Sequence, residues 1–409
     1  MSDSAQGRNR RRVVVSGMGV VSAAGLGAET LWRAARDGQS QIRPLRTLRP
    51  YGGRIKIAAQ VPDFDPAAHL EAELLPYCDP FTQFAVVAAD EAIAAAGFGR
   101  KEVGGARTAV VIGSGIGGST SIDENAWNVY GQGRRVDMLT VPRVIPSAAP
   151  TTLGMRYSAR GPTFALASAC SSASQAIGEG LEMIRAGRAD RAIVGGAEAC
   201  VNNGGMLTWE ALRVLTPELC RPFSKNRNGM TLGEGAAVFV LETLEAARAR
   251  GVTPLCELVG YGTNADAFDP LRASPEWTAA AMGLALEDAG LAPGDVDYIN
   301  AHGTATYAND VTESEAIRRV FGENAPPVSS TKPIHGHGLG AGGGLELAVT
   351  ICAMRDGIAP PTINFTEVDP KCPVDPVPNV ARPMKIRVAM SNSFAFGGIN
   401  AVLVARALD

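Results

Sequence analysis

Apolar residues in this chain come in short unbroken runs: Val13-Val14-Val15, Ala109-Val110-Val111-Ile112, Ala192-Ile193-Val194 and Ala237-Val238-Phe239-Val240-Leu241. A strand with one face in water alternates apolar and polar positions. These runs do not, so they predict strands covered on both faces by helices. Ala-rich stretches between them supply the helices, and the alternation predicts layered α/β architecture. Two of the helices look alike. One opens near Cys170 and closes on Leu181-Glu182-Met183-Ile184-Arg185-Ala186-Gly187; the other opens near Gly340 and closes on Ile351-Cys352-Ala353-Met354-Arg355-Asp356-Gly357. Each follows a run of small residues and ends in glycine, a common helix stop. The repeat predicts two similar halves, 1–252 and 253–409, with a changeover at 248–253 and motifs that converge on one central site.

Composition narrows the function. The chain has 409 residues, 46% hydrophobic and 19% charged, enough to bury a large core. A net charge of -3 gives no global basic field, so nucleic-acid partners are not expected. The basic run Arg8-Asn9-Arg10-Arg11-Arg12 reads as a solvated leader before the first strand. Met1 to Gly7 is polar and the next apolar run is broken at Ser16-Gly17, so no secretory leader is expected. No apolar stretch approaches the ~20 residues of a membrane span. Seven cysteines without CxxC spacing argue against a disulfide framework and fit a reducing cytoplasm.

The chemistry sits in four motifs. Ser168-Ala169-Cys170-Ser171-Ser172 follows the extended Thr163-Phe164-Ala165-Leu166 and carries no bulky side chain. That is a strand-to-helix turn presenting a thiol. Free N–H groups of the helix start should favour the thiolate and can donate to an oxyanion. His302 lies in Asn300-Ala301-His302-Gly303-Thr304, at the end of an apolar strand, with Thr304 and Thr306 on the same loop. Asp310, Glu313 and Glu315 follow and read as charges at a helix start. Lys332-Pro333-Ile334-His335-Gly336-His337 precedes a glycine-rich helix start that includes Glu346. It is not a phosphate loop, because the lysine precedes the glycines; nor does Cys170 with two remote histidines have zinc-ligand spacing. No metal is expected. Finally, Ser393-Phe394-Ala395-Phe396-Gly397-Gly398 reads as a movable aromatic wall at Phe396, with Phe394 as core.

Together with Gly17-Met18-Gly19, Gly113-Ser114-Gly115-Ile116-Gly117-Gly118, Arg221-Pro222-Phe223-Ser224 and Gly233-Glu234-Gly235, these motifs resemble the β-ketoacyl synthases that elongate chains on acyl carrier protein. The resemblance runs from Val13 to Val404. It implies a thiolase-type fold, a duplicated αβαβα stack of five layers, dimeric across its central sheets. It also implies a decarboxylative Claisen condensation with no cofactor beyond the phosphopantetheine of the carrier. Cys170 would take the acyl group, while His302 and His337 would assist decarboxylation as neutral donors. Lys332 and Glu346 would organise them. The N–H groups of Cys170 and Phe396 would form the oxyanion hole, one such donor being worth ~3 kcal/mol. Thr304 and Thr306 would meet the phosphopantetheine, Phe396 and Ala395 would form the gate, and Arg134, Arg135 and Arg213 would contact the carrier.

Departures from the family pattern point to a specialised member. Ala395 replaces a customary glycine and cannot take a positive φ cheaply, which suggests a restricted gate. His335 is an extra histidine. The region 63–79, where relatives often carry basic residues, holds Glu71 and Glu73 and no lysine or arginine. In the acyl pocket, Ile116 keeps an aliphatic side chain and Thr140 stands where relatives often have an aromatic one, which implies a longer cavity. The tract 225–235 and the loop 301–310 resemble nodulation-type, polyketide and polyene synthases, and imply longer or polyunsaturated chains. Two rivals share the fold. A thiolase-like acyltransferase would need a second cysteine in a Cys-x-Gly setting, which Cys352 and Cys372 lack. A chain-length-factor subunit would lack the nucleophile, so this chain would be the catalytic half of any such heterodimer.

Overall fold

The computed structural model describes residues 10–408, and the first two residues of the basic run, Arg8 and Asn9, lie outside them. The rest of that run is anchored rather than loose. Arg10 pairs with Asp288 at 2.6 Å and Arg12 with Glu257 at 2.6 Å.

The unbroken apolar runs form strands buried on both faces, as their pattern requires. Five strands of the first half lie in the order Thr163–Leu166, Thr108–Gly113, Arg191–Glu198, Gly235–Thr243, Val13–Ser22. Five of the second half follow in the order Val328–Ser329, Tyr298–Asn300, Val388–Ala395, Ile399–Arg406, Cys256–Ala265. Each set is parallel across its first two pairings and antiparallel across its last two. The same topology therefore occurs twice. The two sets join where Val13–Val15 pairs with Cys256–Leu258.

Helices Ser172–Arg185 and Gly342–Asp356 pack on each other and touch strands of both halves, so they form the middle layer. The second of them is buried from Gly342 through Met354, as a helix enclosed all round must be. Pro80–Ala95 covers the outside of the first half and Pro275–Ala289 the outside of the second. This is the five-layer αβαβα stack implied by the resemblance. The outer helices sit directly on strand backbone. A Cβ at Gly19 would strike Ala92 N at 2.7 Å, and one at Gly260 would strike Ala289 Cβ at 2.9 Å, so both strands need glycine beneath an alanine-lined helix.

Candidate active site

Each middle helix begins on its own tight turn, and the two turns meet at the interface of the halves. The strand Thr163–Leu166 leads to the turn Ala169–Ser171, which carries Cys170. Ala169 has φ +47°, a left-handed conformation that costs a non-glycine residue about 1–2 kcal/mol. Hydrogen bonds hold the turn in place. Ser172 Oγ donates to Ala169 O at 2.6 Å, and Ser171 Oγ reaches backbone carbonyls of the second half, Ser393 O at 3.0 Å and Ile399 O at 2.7 Å. The small side chains of this motif thus fasten one half to the other.

His337 meets the thiol from the second half, with Nε2 3.0 Å from Cys170 Sγ. Its backbone is pinned on the first half, donating to Thr231 O and accepting from Gly233 N. His302 lies beside it, the two rings 5.3 Å apart and nearly perpendicular. The reactive atoms of Cys170, His302 and His337 all lie within 4.8 Å of one another. Lys332 Nζ donates to the His302 carbonyl at 2.5 Å and to the Glu346 carboxylate, and stands 3.5 Å from His302 Nδ1. Lysine and glutamate are each 1% exposed.

Two acids read as helix-start charges have another place. Glu313 is fully buried and accepts from the backbone N–H groups of both His302 and Gly303 at 2.8 Å. Asp310 accepts from Ala305 N and Phe223 N. Both clamp the loop that presents His302, and only Glu315 sits on the surface, paired with Arg319. Phe394, read as core, is buried with its ring 6.1 Å from that of His302.

Burial sets the protonation states. It pushes the Cys170 thiol up to about 12, against the opposing pull of Lys332. Desolvation of the sulfur thus opposes the thiolate character that the helix start should give. Burial, then the Lys332 ammonium, pushes both His302 and His337 well below the ordinary imidazole range. A thiol facing two neutral imidazoles can lose its proton to His337 only as it attacks. Nitrogen NMR of labelled imidazoles should accordingly show His302 and His337 neutral between about pH 6 and 8. A titration of either near 6.5 would contradict this.

A cavity opens over these groups, lined also by Thr304, Thr306, Phe396 and Ala395. The two threonine hydroxyls are 2.9 Å apart, and Phe396 stacks on Trp209 with ring centres 6.0 Å apart. Two family models match the chain, "Beta-ketoacyl synthase, N-terminal domain" over residues 10–247 and "Beta-ketoacyl synthase, C-terminal domain" over residues 255–366. The chain belongs to the β-ketoacyl synthase family. It is 43% identical to Nodulation protein E of Rhizobium sp. (strain N33) over 399 residues, 97% of this chain and 99% of that one. It is 41% identical to 3-oxoacyl-[acyl-carrier-protein] synthase 2 of Coxiella burnetii (strain RSA 493 / Nine Mile phase I) over 406 residues, 97% of this chain and 98% of that one. Among solved structures, the ishigamide ketosynthase/chain length factor matches with a TM-score of 0.95 and 36% identity, across 98% of this chain and 100% of that chain. The fold is thiolase-like and the protein is a condensing enzyme of the acyltransferase class.

In this ketosynthase the gate differs from its sequence reading. Ala395 closes the ladder of Val388–Ala395 opposite Ile399 with an ordinary strand φ, and the left-handed positions fall on Gly397 at +83° and Gly398 at +69°. Alanine is unstrained there, so no restriction of the gate follows from it. His335 is buried away from the cavity, its Nε2 2.9 Å from Thr331 Oγ1. Ile116 and Thr140 do not line the Cys170 cavity of the single chain. Ile116 is 40% exposed, and Thr140 shares contacts with Asn125 and Asp137. Arg134, Arg135 and Arg213 are exposed; Arg213 lies between Leu212 and Val214, which do line the cavity. Arg272 and Trp209 line it too, and no sequence motif had marked them. Among the described residues no helix is long and apolar enough to cross a membrane.

Proposed function

We propose that this ketosynthase condenses a malonyl unit with an acyl chain held on Cys170, both delivered by acyl carrier protein. The observation that carries this reading is the 3.0 Å approach of His337 Nε2 to Cys170 Sγ beside His302. In the first stage Cys170 Sγ attacks the carrier thioester, its proton passes by way of His337, and the phosphopantetheine leaves as a thiol. In the second, the C–C bond to the malonyl carboxylate breaks, CO2 departs, and the carbanion attacks the acyl-Cys170 carbonyl. The C–S bond then breaks and returns Cys170. His302 and His337 donate to the malonyl thioester oxygen as charge develops there, and the N–H groups of Cys170 and Phe396 receive the acyl oxyanion. Thr304 and Thr306 steady the phosphopantetheine, and Phe396 with Ala395 forms the gate. Lys332 and Glu346 orient His302. A Cys–His–His metal site is disfavoured by the same lysine, whose Nζ stands 3.5 Å from His302 Nδ1 and whose charge would repel a cation held by that ring. The seven buried thiols, all free, suit a reducing cytoplasm.

Incubating the protein with acyl-carrier and malonyl-carrier species tests the reading. Intact-mass spectrometry should show an acyl thioester on Cys170 and a product two carbons longer. Absence of both overturns it.

The partner surface follows from exposure. Tyr130 and Met138 are each 90% exposed and Val141 is 66% exposed, an apolar belt that suits a second subunit, either this chain or a chain-length-factor-like relative. Ile116 and Thr140 share that side of the molecule and reach acyl substrate only where such a subunit covers them. Arg134, Arg135 and Arg213 offer the charge for an acidic carrier, since Glu71 is already paired with Arg100 and Arg156. We place the enzyme in a specialised pathway with longer or polyunsaturated chains. Thr140→Phe should shorten the longest chain accepted without changing turnover of short primers, read by product profiling. A wild-type optimum on short saturated primers alone would refute the long-pocket reading.

A further inference from the structure

The duplication places a counterpart opposite every element of the nucleophile turn. Cys170 is the middle residue of Ala169–Ser171, and Gly340 is the middle residue of Leu339–Ala341. Each is preceded by a left-handed residue, Ala169 at φ +47° and Leu339 at φ +45°, and each leads into a middle-layer helix. The strand ends match as well. Val388–Ala395 leads to Phe396, and its equivalent Arg191–Glu198 ends on a fully buried carboxylate.

That carboxylate is bound where the second half repeats one of the two N–H donors assigned to the oxyanion in the first. Glu198 Oε2 accepts from Gly340 N at 3.0 Å and from Gly115 N at 2.6 Å, and Oε1 accepts from Ser114 Oγ at 3.2 Å. The N–H of Gly340 corresponds to that of Cys170. Gly340 also has to be glycine for this to happen. A Cβ there would fall 2.6 Å from Glu198 Oε2 and 2.7 Å from Ser114 Cα, so a thiol and the carboxylate exclude each other.

We propose that Glu198 is a positioning residue: its carboxylate takes the N–H of Gly340, the second half's copy of the Cys170 N–H that receives the substrate oxyanion in the first half. It thereby fixes the turn after His337 against the Ser114–Gly115 loop beside Cys170. His337 lies three residues before Gly340, and a Cβ at Gly115 would lie 3.7 Å from both Ala169 Cα and Gly340 N. One carboxylate thus sets the distance between nucleophile and imidazole across the two halves. The proposal rests on Cys170 as the acyl acceptor.

The test compares Glu198→Ala and Glu198→Gln with the wild type by the rate of acyl transfer to Cys170, read by intact mass. Folding is checked by circular dichroism. Glu198→Ala should slow acylation by about 10- to 100-fold, the range for losing charge-assisted hydrogen bonds at a reaction site. Formate at tens of millimolar should recover the rate several-fold by entering the vacated site. Formamide, equal in size but neutral, should not. Glu198→Gln keeps the volume, loses the charge, and should be slowed yet insensitive to formate. Wild-type acylation rates in either folded variant, or equal rescue by formamide, would overturn the proposal. Failure of the wild type to acylate Cys170 would instead strike the proposed function itself.

Discussion

Cys170→Ala is expected to abolish the acyl-enzyme and lower elongation by about four to six orders of magnitude, the loss typical of removing a covalent nucleophile. Decarboxylation of malonyl-carrier should persist. The groups that assist it, His302 and His337, come from the second half, and their support from Lys332, Glu346 and Glu313 does not pass through the thiol. The variant should also fold. Losing one buried sulfur costs about 1 kcal/mol in transfer and cavity terms, and the turn is held by Ser171 and Ser172 hydroxyls that remain. Following released CO2 and elongated product in parallel separates the two half-reactions. Loss of both in a folded variant would mean that the thiol itself organises the imidazoles.

The strands were legible because doubly covered strands are apolar without alternation, and the duplication because two helices open on small residues and close on glycine. Cys170, His302 and His337 stand out because they sit among residues too small to serve as core, whereas Lys332 and Glu346 take their roles from the family resemblance. Their states were not found. A helix start argues for a thiolate, and only tertiary burial opposes that argument at Cys170. Glu313 and Asp310 hid for a different reason. An acid early in a helix is ordinary, and nothing local tells that its acceptor oxygens face a loop instead of water. Glu198 hid more deeply, because its partners are backbone N–H groups at Gly115 and Gly340, remote in sequence. Ala395 was misread from a substitution alone, since strand register moves the left-handed positions to Gly397 and Gly398. Ile116 and Thr140 lie outside the Cys170 cavity of the single chain, and no local pattern marks that, because the cavity is bounded by residues remote in sequence.

The second large effect is expected at the buried pair. Lys332→Met should cost about 3–5 kcal/mol of stability, because it leaves Glu346 buried in the middle layer without its partner, so that folding must either bury an unpaired charge or take up a proton. The pH dependence carries the signature. Burial already pushes Glu346 up to about 7, opposed chiefly by Lys332, so without the lysine its carboxyl rises further. A carboxyl raised by folding binds its proton more tightly in the folded than in the unfolded state. Its contribution is therefore full below the ordinary carboxylate range and is lost as pH rises through the folded value. Below about pH 7 the two proteins should thus lose stability alike, and above it the melting of Lys332→Met should go on falling where the wild type levels off, by at most ~1.4 kcal/mol per pH unit for one proton. Adding Glu346→Leu should restore most of the stability and flatten the profile, since an apolar pair of similar volume replaces a buried ion pair at little cost. Activity should not return. His302 would still lack the ammonium that grips its carbonyl, so decarboxylation should stay low in the stable double variant. Recovery of activity there would show that the pair serves the fold alone.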